Sequence, residues 1–495
     1  MKQVIFILIL FPVWCFGQWT QVGNAINGQM TNDRCGYSTA ISADGSIVAV
    51  GSSGNSNGGS NAGQVRVFGY ANGDWSQIGA DLNGESSGDQ TGQAVSLSSD
   101  GSIVAIGEPF NNDLGFTSGQ VRVFKNINNN WSQIGNDLYG QNAQAGAGTS
   151  VDLSADGSIV AFGAPNTTIN GVPAFTGKVR VLELQNNTWV QKGGDIDGDG
   201  TIIKFGQSVS LSADGNIIAI GQTGDPTENN PQDTGRVKVY QYVNSQWVQL
   251  GNTILGTVGR DEFGNKVSLS SAGNILAIGT YAKGEVKIFE LNNGIWTQVG
   301  NTLFGGSAGD AFGFSLSLSH SGSIVAIGAR FNSLSGNQSG RAYVFENQGG
   351  NWTLIHNPIF GDAVGDQTGF SVAISQDGSS VAVGANSNDD GGSNAGHVRV
   401  FKNASISSSS EVETKSFLLY PNPVTDQLVI TNPENTHATV EIYSIFGQKL
   451  YDLILNEEDA KIDISGFTTG MYVVVITSTT GMNTFKFIKK TATHD

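Results

Sequence analysis

Three aspartates at alternate positions, Asp195, Asp197 and Asp199, offer the oxygen spacing from which a calcium loop is built. Their segment, Asp195-Ile196-Asp197-Gly198-Asp199-Gly200, lacks the bidentate glutamate that such a loop carries at its twelfth place. It also aligns with the plain loop Asp81-Leu82-Asn83-Gly84, which favours a solvated turn and leaves calcium as the alternative. Five further aspartates, Asp33, Asp89, Asp261, Asp310 and Asp366, each stand three residues before a recurring glycine. A ring of carboxylates could ligate cations, but aspartate also caps its own turn through backbone amides, and a repeated residue in a repeated loop is expected to serve the loop. The aromatic residues Phe110, Phe116, Phe175, Tyr281 and Phe331 fall in loops, where they could stack on sugars, anchor a partner, or pack on the loops beneath them. The histidines (His320, His356, His397, His437, His494) are scattered; no His or Cys cluster has metal spacing, and no nucleophile motif stands out.

The elements that must position these residues repeat. Trp19, Trp75, Trp131, Trp189, Trp247, Trp296 and Trp352 are spaced by 56, 56, 58, 58, 49 and 56 residues, a period that calls for a supersecondary unit rather than a single helix or strand. In step with them run Asp44-Gly45, Asp100-Gly101, Asp156-Gly157, Asp214-Gly215 and Asp377-Gly378, with Ala272-Gly273 and Ser321-Gly322 in the other two units. An Asp-Gly pair between apolar runs predicts a tight hairpin, of type I′, in which both central residues take positive φ. The second unit shows four strands: Ala94-Val95-Ser96-Leu97-Ser98, Ile103-Val104-Ala105-Ile106-Gly107, Gln120-Val121-Arg122-Val123-Phe124 and Trp131-Ser132-Gln133-Ile134. The second strand is apolar on both faces, as a strand sandwiched between neighbouring sheets must be. Small residues crowd the first two strands and bulky ones the last, which suits a wedge-shaped propeller blade.

The array begins with Trp19-Thr20-Gln21-Val22, a fourth strand without its first three, and ends with His397-Val398-Arg399-Val400-Phe401, a third strand without its fourth. Pairing the two closes a ring of seven four-stranded blades and removes two open sheet edges. The expected fold is therefore all-β: a seven-bladed β-propeller over residues 18–403. The tight turns share one face, and the longer loops at residues 108–119, 164–177, 222–235, 329–340 and 385–396 share the other. The clipped loop at residues 280–284 opens a gap on that face at the fifth blade, where a ligand would be sought first.

Each connection between units ends in a glycine (Gly36, Gly92, Gly148, Gly206, Gly264, Gly313, Gly369), preceded by phenylalanine in Phe205-Gly206, Phe263-Gly264 and Phe312-Gly313. The second strand ends in Gly163-Ala164-Pro165, with looser versions at Gly107-Glu108-Pro109, Gly328-Ala329 and Gly384-Ala385. These motifs resemble the FG-GAP repeat family, the propeller type that includes the integrin α-subunit head. Many blades of that family carry a calcium loop in the first hairpin; here that hairpin is only Ser-Ala-Asp-Gly-Ser or a close variant, so the usual family loop does not support calcium.

After Phe401 the period stops. Residues 404–416 form a Ser-rich linker, and residues 417–490 a run of about seven short strands that predicts a small β-sandwich. Leu419-Tyr420-Pro421-Asn422-Pro423, the strand Thr469-Gly470-Met471-Tyr472-Val473-Val474-Val475 and the basic Phe485-Lys486-Phe487-Ile488-Lys489-Lys490 resemble the type A C-terminal sorting domain of the type IX secretion system of Bacteroidetes. That resemblance implies passage through the outer membrane by the type IX machinery, removal of the domain, and release or surface attachment of the remainder.

The N-terminus agrees with export. Met1-Lys2-Gln3 precedes a 13-residue apolar run over residues 4–16, too short for a comfortable transmembrane segment, with Gly17 at a signal-peptidase position. Cleavage there makes residues 1–17 a signal peptide and leaves Cys35 as a single cysteine, expected as a filler at a semi-buried position matching Thr91, Ala147, Phe205, Phe263, Phe312 and Thr368. A formal net charge of -17 excludes nucleic acid as a partner, since no basic stripe exists to displace counterions. The expected function is a secreted or surface-attached binding or adhesion module for an extracellular protein or glycan. The alternatives are a polysaccharide-active lyase or hydrolase and a structural matrix protein.

Overall fold

The computed structural model describes residues 18–169, 175–199, 204–224, 234–257, 261–280, 282–307, 309–403, 418–420, 424–431, 437–444, 448–455, 459–478 and 481–490. Residues 1–17 and 404–416, for which the sequence predicts a signal peptide and a linker, lie outside them. The chain separates into two compact units, Met1–Ile406 and Ser407–Asp495.

The first unit is a seven-bladed β-propeller. Its second blade is typical: Ala94–Leu97, Ile103–Glu108, Gln120–Ile127 and Asn130–Gln133 follow one another from the axis outward. One element was not foreseen: a two-residue strand in each outgoing connection, Leu138–Tyr139 here, which pairs with Gln120 and Val121 and extends the third strand's ladder beyond the fourth strand. The second strand, Ile103–Glu108, is buried throughout. Val104 and Ile106 pack with Ala49, Val65 and Val67 of the first blade, so each strand of this type supplies core to two neighbours. Closure follows the sequence reading: Trp19 faces Asn403, Thr20 faces Lys402 and Gln21 faces Phe401, completing the sheet of the seventh blade.

Two sets of contacts tie blade to blade. The tryptophans stand on the fourth strands, and in five blades the indole Nε1–H donates to a main-chain carbonyl of the preceding blade: Trp75 to Val22, Trp131 to Ile78, Trp189 to Ile134, Trp247 to Lys192 and Trp296 to Leu250, at 2.8–2.9 Å. Each ring rests on the glycine four residues beyond the preceding tryptophan; at Gly135, with φ of +71°, a Cβ would collide with Trp189. On the tight-turn face a closed ring of seven main-chain bonds runs around the axis, each amide donating to the next carbonyl: Ala43 to Ser99, Ala155, Ala213, Ser271, His320, Gln376 and back to Ala43.

The turns in that ring correct the type I′ expectation. Gly45 has φ of +73° and its amide bonds the Ser42 carbonyl, but Asp44 is not among the residues with positive φ. The aspartate keeps an ordinary backbone and spends its carboxylate on the turn, accepting from the Ser42 hydroxyl at 2.6 Å and the Ser46 amide at 2.9 Å. Cys35 is likewise corrected from semi-buried to fully buried, because its equivalents Thr91, Ala147, Phe205, Phe263, Phe312 and Thr368 all lie inside the blade junctions.

The second unit places Leu418–Tyr420, Gln427–Thr431 and Asp459–Asp463 in one sheet, and Lys449–Leu455, Ala438–Ser444, Gly470–Ser478 and Gly481–Lys489 in another. Leu428, Ile430, Val440, Ile442, Ile462, Val474, Ile476 and Phe487 are buried together in a core of its own, as alternating strands of a small sandwich require. Among the described residues no helix is long and apolar enough to cross a membrane.

Candidate ligand site at the channel mouth

A recurring glycine with φ between +84° and +90° lies within two residues of the start of each innermost strand. A Cβ at Gly92 would strike the Gly51 backbone and the Gln64 carbonyl, so only glycine lets two blades meet this closely and turns the next side chain toward the axis. Those next residues, Tyr37, Gln93, Thr149, Gln207, Asn265, Phe314 and Phe370, all line a central cavity of about 430 Å³ and ring its mouth on the loop face. They fall into two arcs. Phe314, Phe370 and Tyr37, from the sixth, seventh and first blades, are contiguous, with ring centroids 5.1 and 4.9 Å apart. The Arg330 guanidinium lies 3.8 Å from the Phe314 centroid and 5.1 Å from that of Phe370. Opposite stand Gln93, Thr149, Gln207 and Asn265 from the second to fifth blades. Gln93 bonds Gln90 and Thr149 bonds the Gly146 carbonyl, whereas the side-chain amides of Gln207 and Asn265 find no partner among the described residues.

Below the mouth the bore is walled by small residues. In five blades a serine two residues beyond the glycine donates to the next blade's glycine carbonyl: Ser38, Ser150, Ser208, Ser315 and Ser371, at 2.7–2.9 Å. The fifth blade has Lys266 there. Two residues deeper, Ser96, Ser210, Ser268 and Ser317 accept a main-chain amide of the next blade at 3.0–3.3 Å; the third blade has Asp152 instead, accepting from Leu211 at 2.7 Å. Asp152 also accepts from Ser96 and from its neighbour's amide. Desolvation raises its carboxyl above the usual range, against the pull of these bonds and of Lys266. Lys266 is exposed to the bore, with protein around that opening. Desolvation lowers its pKa, and the Asp152 charge partly restores it.

The sequence-predicted residues occupy different places. Phe110 lines a depression of about 260 Å³ with Pro109, Pro165 and Lys204, and shares Gln93, Thr149 and Gln207 with the mouth. Phe331 lies under Arg330, centroid to Cζ 4.4 Å. It lines a second depression of about 260 Å³ with Asp310 and Ser333, beside the clipped fifth-blade loop, whose Gly284 abuts Asp310. Phe116 and Phe175 are exposed on the loops of the second and third blades, apart from the mouth; Tyr281 lies outside the described residues. Asp195 pairs with Lys178 at 2.7 Å and Arg180 at 3.3 Å, Asp197 with Lys178 at 3.4 Å, and Asp199 with Lys238 at 2.6 Å. No three His, Cys, Asp or Glu side chains among the described residues converge as a metal site would require. The glycine-linked aspartates cap their own connections: Asp33 accepts from Gln29 and Met30, Asp89 from Ser86 and Asp366 from Ala363, at 2.7–2.9 Å. The mouth ring escaped the sequence reading, although its signal was present: the residue after the repeated glycine is aromatic in three blades and an amide in three others.

Two family models match the chain. The FG-GAP repeat model matches residues 302–345 and the secretion system C-terminal sorting domain model residues 418–490. Among solved structures, the chain is similar to a periplasmic gluconolactonase of Pseudomonas aeruginosa (16% identity, 83% of this chain and 97% of that one, TM-score 0.46). It is similar also to a putative 6-phosphogluconolactonase of Bacteroides fragilis (11% identity, 91% and 99%, TM-score 0.46) and to Raptor of Chaetomium thermophilum (11% identity, 78% and 29%, TM-score 0.49). No curated protein matches the sequence. The chain thus carries an FG-GAP repeat in a propeller and a sorting domain, which implies interaction with the type IX secretion machinery and export to the cell surface or beyond.

Proposed function

We propose that this chain is an exported binding protein that holds a saccharide at the propeller's channel mouth. One observation carries the reading: an arc of three touching aromatic rings faces an arc of amides and a hydroxyl across a single opening. Sugar rings present apolar faces for stacking and hydroxyls for amides, so a mouth divided in this way matches both sides of the same ligand. Catalysis fits less well, because Asp152, the one carboxylate among the described residues that line the bore, already accepts three hydrogen bonds, two of them from neighbouring blades.

The test is a glycan array followed by calorimetry on the full chain, with Phe314→Ala and Gln207→Ala. Binding by the native protein that weakens about tenfold in each variant, a change of about 1.4 kcal/mol, supports the mouth. Equal binding by correctly folded variants, or no binding by the native protein, refutes it. Secretion should deliver a product that begins at Gln18 and lacks the sorting domain, checked by mass spectrometry of the culture medium and cell surface.

A further inference from the structure

Lys266 stands where five other blades place a serine that bonds the next blade. It gives up that bond and gains no hydrogen bond or ion pair from any described residue. The residue lines the bore one position below the mouth ring, its backbone about 3.3 Å further along the strand than that of Asn265. The lysine is exposed to the bore and so able to meet a ligand there, and a position that abandons a bond kept in five other blades marks function rather than folding.

We infer that Lys266 is an anion-recognition residue, and that the ligand of the mouth carries a carboxylate, as a uronic acid residue does, directed down the bore onto the lysine. This inference rests on the saccharide reading above. With a ring stacked on Phe314 and Phe370, a carboxylate on that ring enters the bore ahead of its hydroxyls. Asp152 lies two residues deeper, its oxygens engaged by Ser96, Leu153 and Leu211, so it balances the lysine from below without competing for its hydrogen bonds. The overall charge of -17 repels anions at long range, which makes acceptance of one depend on local cations, Lys266 in the bore and Arg330 at the mouth.

The experiment uses the full chain with two trisaccharides, trigalacturonate and its neutral galactose counterpart, and with acetate and inorganic phosphate as anions without a sugar ring. Affinities come from calorimetry, and the Lys266 resonance is followed by NMR after reductive ¹³C-methylation. Trigalacturonate is expected to bind at least tenfold more tightly than the neutral trisaccharide and to shift the Lys266 resonance, with acetate and phosphate acting only at far higher concentration. Lys266→Ser should erase the preference while leaving neutral binding intact, and Asp152→Ser should enlarge it. Phe314→Ala should weaken both trisaccharides alike. Equal binding of the two trisaccharides, a preference that survives Lys266→Ser, or a Lys266 resonance that no anion moves overturns the inference. If Phe314→Ala leaves both affinities unchanged while Lys266→Ser removes anion binding, the mouth reading fails and the lysine's role stands.

Discussion

Two kinds of aspartate in this propeller respond to acid in opposite directions. Burial by itself would raise the carboxyls of the turn residues Asp44, Asp100, Asp156, Asp214 and Asp377, but their serine, asparagine and amide donors outweigh it and hold them below the usual range. A lowered native pKa contributes stability that is present above the unfolded value and lost as pH falls through the native one. Asp156→Ala, which mimics Ala272 of the fifth blade, is therefore expected to lower Tm at neutral pH and to lose its effect in acid. Asp152 has the reverse sign: desolvation raises its native pKa, so its contribution is full below the unfolded value and disappears as pH rises through the native one. The stability of the native protein relative to Asp152→Ser should accordingly be greatest in acid and decline toward neutrality, as urea titrations at a series of pH values would show. The presence of these aspartates was legible in the sequence. Their opposed behaviour was not, because it depends on whether the fold's desolvation of each carboxylate outweighs the donors it supplies.

At the scale of the blade, tryptophan and glycine form one device split between neighbours. Trp189 is buried, its ring rests on Gly135 and its indole N–H bonds the Ile134 carbonyl at 2.9 Å. Trp189→Phe keeps most of the packing and loses the bond, so it should cost about 1 kcal/mol. Trp189→Ala removes both and should cost about 3–5 kcal/mol. Denaturant midpoints should report the two steps with little change in slope. The repeat interval disclosed the tryptophan's architectural role, but its partner lies in the preceding repeat, 55 residues back, and no local pattern shows that pairing. The hairpin type was misread for a related reason: Asp-Gly satisfies either a two-residue turn or a longer one with only the glycine in the left-handed region, and the Ser42 and Ser46 donors select the latter.

For the whole molecule, closure concentrates in one short strand. Thr20 faces Lys402, both exposed, across nearly the entire propeller sequence. The pair Thr20→Cys and Lys402→Cys should form a disulfide that stabilises the oxidised protein by about 2–4 kcal/mol and is reversed by reductant, read as a Tm difference with and without reduction. Because the sandwich has its own core, calorimetry should resolve two transitions, with the disulfide moving only that of the propeller.

The sequence by itself determined the number of blades, the strand order within each, the exchange of terminal strands and the sorting domain, because these follow from local period, turn chemistry and motif, which are written along the chain. Tertiary structure alone decided which residues share the bore. Tyr37 and Phe370 are 333 positions apart in the chain, yet their rings are 4.9 Å apart once the ring closes. A propeller gathers one position from every repeat at its axis, so the chemistry of that axis arises from seven distant residues at once, and Lys266 gains its meaning from the serines that replace it elsewhere.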